Sequence, residues 1–125
     1  MGDRCYMTIY VHRDDLAQFC TLIGEDSADW EAREDMPFAE LTIEEASYAL
    51  YDELTQACEA KLRFHAQNCA GDNYGYGATV CDGKECVDVC TDSEGNPTVT
   101  VPVKQWELDN ATRYMGIVEA MGILA

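Results

Sequence analysis

Five residues in the middle of the chain have side chains that could bind a metal ion. Cys81, Cys86 and Cys90 are spaced C-x4-C-x3-C, and His65 and Cys69 precede them as H-x3-C. Four such ligands could hold zinc tetrahedrally, but zinc ribbons and knuckles favour C-x2-C pairs. On a strand, Cys86 and Cys90 would lie on one face about 13 Å apart, which is too far to share one ion. We therefore predict no metal and no cofactor, with half-buried thiols instead.

Nucleophilic catalysis needs a nucleophile, a base and a group that orients the base. The two histidines, His12 and His65, each lie in a segment with a strand pattern, where a structural role is the simpler interpretation. Residues 92–96 lack the full ligand series of a calcium loop and predict a hairpin turn. The sequence also lacks a phosphate-binding glycine loop. We predict that the protein is not an enzyme.

Net charge separates the remaining classes of function. The chain has 24 Asp and Glu against 8 Lys and Arg, a formal charge of −16. Because nucleic-acid binders pair Lys and Arg with phosphates, direct binding of DNA or RNA is disfavoured. The same charge attracts basic clefts of other proteins and speeds encounter with them. The alternative is that acidity only aids solubility.

The acidic residues concentrate in one segment. Twelve of them lie between Glu25 and Glu59, opposed only by Arg33, so this segment supplies −11 of the net charge. Neighbouring carboxylates about 5–6 Å apart could imitate a phosphate backbone. Trp30 is interpreted as an exposed aromatic anchor between acids, typical of a binding hot spot. The other predicted partner-binding residues are Asp29, Glu31, Glu34, Asp35, Glu44, Glu45, Asp52 and Glu53.

Length and composition predict a single domain over residues 1–125, since 125 residues that are 47% hydrophobic suffice for one core. No apolar run approaches the ~18 residues of a membrane span. The first residues lack the apolar stretch of a signal peptide, so we expect the cytoplasm of the host cell. In a reducing cytosol, seven cysteines are expected to be thiols. The oligomeric state stays open.

Apolar periodicity predicts an α+β domain. Its mostly antiparallel sheet has helices packed on one face, and residues 25–36 form a loop with at most one helical turn. Predicted strands span 5–12, 38–44, 61–67, 77–81, 85–91 and 98–103. Predicted helices span 14–23, 47–60 and 104–122.

The predicted core comes from the apolar stripes of these elements. Phe64 and Val101 are assigned to it, and replacing either by Ala is expected to cost about 2–4 kcal/mol. Val99 and Val103 are expected to face the core beside Val101, and Ser47 is expected to cap the second helix. The last helix is predicted to bury Leu108, Ala111, Met115, Val118 and Met121.

Two local patterns, Glu45-Ala46-Ser47-Tyr48 through Tyr51-Asp52-Glu53-Leu54, and then Phe64 and His65 before Ala70-Gly71-Asp72-Asn73-Tyr74-Gly75, resemble a segment of uncharacterised phage and plasmid proteins. They span about a third of the chain. In size, charge and lack of catalytic signatures, the chain resembles small acidic anti-CRISPR and anti-restriction proteins, without matching one named family. The resemblance implies a non-enzymatic protein that occupies a nucleic-acid-binding surface of a defence complex.

We therefore predict an inhibitor of a host nucleic-acid-targeting complex, such as a CRISPR effector, that acts by mimicking the charge of DNA. The alternative is an acidic structural or regulatory binding module of a phage or mobile element that does not mimic DNA. A salt titration separates the two, because binding by mimicry weakens as salt screens the charges.

Overall fold

The structure is a computed structural model that describes residues 4–26, 30–32, 36–71 and 74–122. Its strands are β1 (Arg4–His12), β2 (Glu31–Ala32), β3 (Phe38–Ser47), β4 (Phe64–Asn68), β5 (Gly77–Cys81) and β6 (Cys86–Cys90). Its helices are α1 (Leu16–Ile23), α2 (Tyr51–Glu59) and α3 (Gln105–Met121). The strands form one antiparallel sheet in the order β2-β3-β1-β4-β5-β6. The predicted α+β class is confirmed.

Helices cover the sheet on both faces, so the prediction that all helices pack on one face is wrong. On the first face, α1 and α2 pack over the middle of the sheet, and Phe19, Leu54 and Phe64 share one core. On the second face, α3 packs over β5 and β6, and Val80 and Tyr114 belong to a separate core. The sheet alternates its side chains between two apolar layers, which is why residues 64–66 are all buried.

Each helical layer covers only part of the sheet. On the α2 side, the surface of β5 and β6 stays open, and Asp88 and Cys90 are exposed there. On the α3 side, the surface of β1 and β3 stays open, and Tyr6 is 48% exposed. Two separate surfaces of the sheet are therefore accessible to binding partners.

The first helix begins and ends as its sequence predicts. A 3-10 turn, Arg13–Asp15, precedes α1, and Gly24 ends it with a left-handed φ of 75°. The start of the second helix was predicted wrongly. Pairing with β1 extends β3 as far as Ser47, whose side chain makes no cap hydrogen bond, and α2 begins only at Tyr51.

The predicted strand at 98–103 is absent, and Thr91–Pro97 is an isolated bridge. Val101 is 91% exposed, Val103 is exposed and Val99 is half-buried, so their assignment to the core is wrong. Pro97 and Pro102 lack the backbone N–H that a strand ladder needs. The segment is instead held by Thr100, whose backbone N–H donates to the Glu107 carboxylate at 2.7 Å.

Two further predictions of elements need correction. Of residues 25–36, Glu31 and Ala32 form a short strand on β3, because the backbone of β3 offers an unpaired edge there. The buried face of α3 consists of Tyr114, Ile117 and Val118, while Leu108 and Met115 point to solvent. The helix is turned this way because the Tyr114 hydroxyl lies 2.6 Å from the His65 Nε2 atom.

His65 is fully buried between the sheet and α3. Its ring stacks on Tyr10 with ring centroids 6.3 Å apart and contacts Tyr114. Burial lowers the pKa of the His65 imidazole to about 4, because the charged ring would lose its hydration. The histidine is therefore neutral and structural at neutral pH, as the sequence predicts.

This neutral histidine makes the domain sensitive to acid. The unfolded chain takes up the proton near pH 6.5, whereas the folded chain resists until about pH 4. The contribution of His65 to the free energy of unfolding is thus complete above pH 6.5, and about 2–3 kcal/mol is lost as the pH falls toward 4.5. Urea unfolding of wild type and His65→Gln at both pH values measures it. Equal pH dependence in both proteins would contradict the assignment.

Candidate functional site

A left-handed turn joins β3 to α2. Tyr48, Ala49 and Leu50 have φ values of 51°, 53° and 54°, a conformation that side chains other than Gly rarely adopt. Each such residue costs about 1–2 kcal/mol, so the surrounding structure must enforce the turn. The turn directs two aromatic side chains outward, since Tyr48 is 57% exposed and Tyr51, the first residue of α2, is 69% exposed. Strained turns that present aromatic side chains are typical of binding sites.

The turn forms one wall of a large groove. The open face of β5 and β6 forms its floor, with Thr79 and Asp88 side by side, and the groove encloses about 1240 Å³. This exceeds the roughly 300–1,000 Å³ of ordinary small-molecule pockets, so it suits a larger ligand such as a polypeptide segment. Four of the seven tyrosines line this tyrosine groove: Tyr48, Tyr51, Tyr74 and Tyr76.

Hydrogen bonds fix the glycine-rich loop that supplies two of these tyrosines. The Asn68 side-chain amide donates to the backbone oxygens of Cys69 and Gly75, at 3.0 and 3.2 Å. The backbone N–H of Thr91 donates to the Tyr76 oxygen at 3.1 Å. Both aromatic side chains are therefore held at the groove before any ligand arrives, which lowers the entropy cost of binding.

The tyrosine groove has a one-sided charge. Three carboxylates line it, from Asp52 and Glu53 on α2 and from Asp88 on β6, where Thr79 donates a hydrogen bond to Asp88. None of the described residues that line the groove is Lys, Arg or His. A ligand that enters therefore meets negative charge beside aromatic rings, which together favour cations.

The aromatic anchor predicted from the sequence is not at the surface. Trp30 is only 7% exposed, and its ring meets Phe19 edge to face at 6.0 Å in the first core. The interpretation of Trp30 as an exposed hot spot is therefore wrong. The short strand β2 begins at the next residue, and it pins Trp30 beneath the sheet edge, so the polar neighbours in sequence misled the prediction.

Glu31 lies on the opposite side of the sheet from the groove. It pairs across the strands with Glu40, which pairs with Tyr10, which pairs with His65 on the α3 side. Residues directly opposite in an antiparallel sheet share a face, so Glu31 belongs to that side. Asp52 and Glu53 project from α2 on the first side, and the predicted acidic surface is thus divided in two.

The remaining acidic residues of the prediction lie at the far end of β3 or outside the described residues. Glu44 and Glu45 occupy a bulge, where three residues of β3 face two of β1, and both are exposed. Arg4 pairs with Glu45 at 3.4 Å. Asp29, Glu34 and Asp35 lie outside the described residues.

The residues considered as zinc ligands do not converge. His65 faces α3, whereas Cys81 and Cys86 lie on the α2 side, and Cys69 is exposed in the loop after β4. Over residues 4–26, 30–32, 36–71 and 74–122, no group of three or more His, Cys, Asp or Glu side chains has a geometry that could hold a metal ion. The prediction that the protein binds no metal stays a prediction.

Comparison with protein-family models, with curated proteins and with solved structures gave no match. Among the described residues, none of the helices has both the length and the apolar character needed to span a membrane.

Proposed function

We propose that this chain is a non-enzymatic binding protein whose tyrosine groove takes up an arginine- or lysine-bearing segment of a basic partner protein. The observation that carries the proposal is the composition of the groove: four tyrosines and three carboxylates, with no cation among its described lining. Tyrosine gives a large contact area at low entropy cost, and its ring face attracts a guanidinium or ammonium group.

The groove is suited to a charged segment more than to an apolar one. Partial desolvation between Tyr51 and Asp52 would strengthen each charge pair relative to an exposed pair. Arginine fits best, because its planar group stacks on an aromatic ring and can bond a carboxylate with two N–H groups at once. The net charge of −16 would add long-range attraction and speed the encounter.

The partner class follows from the same charges. A basic surface that binds nucleic acid offers closely spaced arginines and lysines, and an acidic protein that occupies it would displace the nucleic acid. Inhibition of a host nucleic-acid-targeting complex, as anti-CRISPR proteins achieve, is the specific form of this proposal. It is supported by the charge of the chain and the open acidic groove; an acidic binding module without mimicry is the alternative.

Two labelled peptides test the proposal by fluorescence anisotropy. One is rich in arginine, and the other has the same sequence with neutral citrulline at each arginine. Raising salt from about 0.1 M to about 1 M shortens the Debye length from about 10 Å to about 3 Å. We expect only the arginine peptide to bind, with an affinity that falls at least about tenfold over this range. Equal binding of both peptides, or an affinity independent of salt, would refute the proposal.

A further inference from the structure

Three cysteines from three different elements meet at the edge of the tyrosine groove. Cys58 comes from α2, Cys81 from β5 and Cys86 from β6, and their side chains hydrogen-bond one another. Cys81 is buried, and the other two are half-buried. Of the three, only Cys58 is among the residues that line the groove. A small solute in the groove would therefore meet Cys58 first.

The strands hold two members of this thiol cluster in fixed positions. Cys81 and Cys86 lie directly opposite each other beside the hairpin turn, where the backbone N–H of Asp82 donates to the Glu85 oxygen at 3.2 Å. Hydrogen-bonded and non-bonded pairs alternate along an antiparallel ladder, so Cys81 and Cys86 form a non-bonded pair about 4.5 Å apart at Cα. That is the short limit for a disulfide, about 4.4–6.8 Å.

The cluster concentrates thiolate character on its buried member. Hydrogen bonds from the Cys58 and Cys86 thiols lower the pKa of Cys81 to about 6, against burial and the charge of Asp82. The contact with Cys81 raises the pKa of Cys58, and burial raises that of Cys86 to about 12. A thiolate that accepts two S–H donors can act as a base toward one neighbour and as a nucleophile toward it later.

We propose that Cys58 and Cys81 are a peroxide-reactive pair that forms a reversible disulfide between α2 and β5. Cys58 is favoured over Cys86 as the partner because the groove gives oxidant access to it. It also approaches Cys81 across the interface between helix and sheet, where small shifts of α2 can relax the bond. The proposal rests on the thiol cluster and holds whether or not the groove binds a basic segment.

The reaction balances with hydrogen peroxide as the oxidant. The Cys58 sulfur attacks one peroxide oxygen as its proton passes to the Cys81 thiolate; the O–O bond breaks, and the departing hydroxide takes that proton to give water. Cys81 then attacks the Cys58 sulfenic acid, the S–S bond forms, and the S–O bond breaks. The second hydroxide takes a proton from solvent. Two thiols lose two electrons, and one peroxide becomes two waters.

Trypsin can locate the bond, because it cuts at Lys61, Arg63 and Lys84. Cys58 falls in peptide 34–61, Cys81 in peptide 64–84 and Cys86 in peptide 85–104. The full chain carries Cys69→Ser and Cys90→Ser, which remove the other cysteines of these peptides, both exposed and outside the cluster. After treatment with peroxide, free thiols are blocked, the protein is digested, and the peptides are weighed with and without dithiothreitol.

The expected product is peptide 34–61 joined to peptide 64–84, released by dithiothreitol and absent from a Cys58→Ser version of the same protein. The Cys58→Ser substitution is half-exposed and near-isosteric, and circular dichroism confirms its folding before treatment. Peptide 64–84 joined to peptide 85–104 as the main product would overturn the role of Cys58. Failure of peroxide to link any of these peptides in the folded protein would overturn the proposal.

Discussion

Replacing Tyr51 by Ala is expected to weaken binding of the arginine-rich peptide at least tenfold, about 1.4 kcal/mol. Tyr51 is the most exposed tyrosine of the groove, so its ring is available for stacking, and tyrosines of this kind dominate binding energies. Ala is a better helix former than Tyr at the start of α2, so the fold should be kept. Anisotropy titration at low salt measures the change.

The matched control is Tyr6→Ala. Tyr6 is also an exposed tyrosine, but it lies on β1, on the opposite side of the sheet, and does not line the tyrosine groove. Its loss should leave the affinity within about twofold, because it removes the same side chain from a different surface. Equal losses in the two variants would place the contact elsewhere or make it nonspecific.

The carboxylates of the groove are tested at constant net charge. The double variant Asp52→Asn, Glu53→Gln removes two negative charges from the groove, and Glu31→Gln, Glu119→Gln removes two from exposed positions outside it. The groove pair should lose clearly more affinity for the arginine peptide. Asp52 and Glu53 also lie in the first turn of α2, so their loss should cost about 0.3–1 kcal/mol each in stability.

Replacing Phe64 by Ala is expected to lower the free energy of unfolding by about 3–5 kcal/mol. Phe64 is fully buried in the first core and packs on Phe19 with ring centroids 5.3 Å apart. Removal of the ring leaves a cavity between α1 and the sheet that neighbouring side chains cannot fill. Urea unfolding, monitored by circular dichroism, gives the value.

Val101→Ala is the comparison for that variant, because the sequence predicts a similar cost for both. Val101 is exposed after the last strand, so we expect a change within about 0.5 kcal/mol. A large cost at Val101 would mean that the segment 98–103 packs against the domain. A negligible cost at Phe64 would mean that the first core is assigned wrongly.

Most of the fold could be predicted from local patterns. Strand β1 alternates cleanly and α1 has a full apolar stripe with Gly24 at its end, and both elements were predicted close to their observed bounds. The prediction failed where tertiary contacts override a local pattern. Alternation of Val99, Val101 and Val103 predicts a strand, but Pro97 and Pro102 withhold the backbone donors it would need.

The candidate site could be predicted only in part. Tyr74 and Tyr76 lie in a flexible glycine-rich sequence that already indicates a contact loop, and Asp52 and Glu53 were among the predicted binding residues. Tyr48 and Tyr51 were missed as site residues, because a helix from residue 47 gives no reason to expect a left-handed turn that exposes them. Trp30 was misplaced because a two-residue strand has almost no sequence signal.

The most direct measurement is a map of where the arginine-rich peptide contacts the domain, from NMR shifts of backbone amides during a titration. The account predicts perturbations confined to the walls and floor of the tyrosine groove, at 47–55, 74–79 and 88–91. It also predicts no perturbations with the citrulline peptide. Perturbations centred on Glu31 and Glu40, or spread over every acidic surface, would contradict the claim that the groove is the binding site.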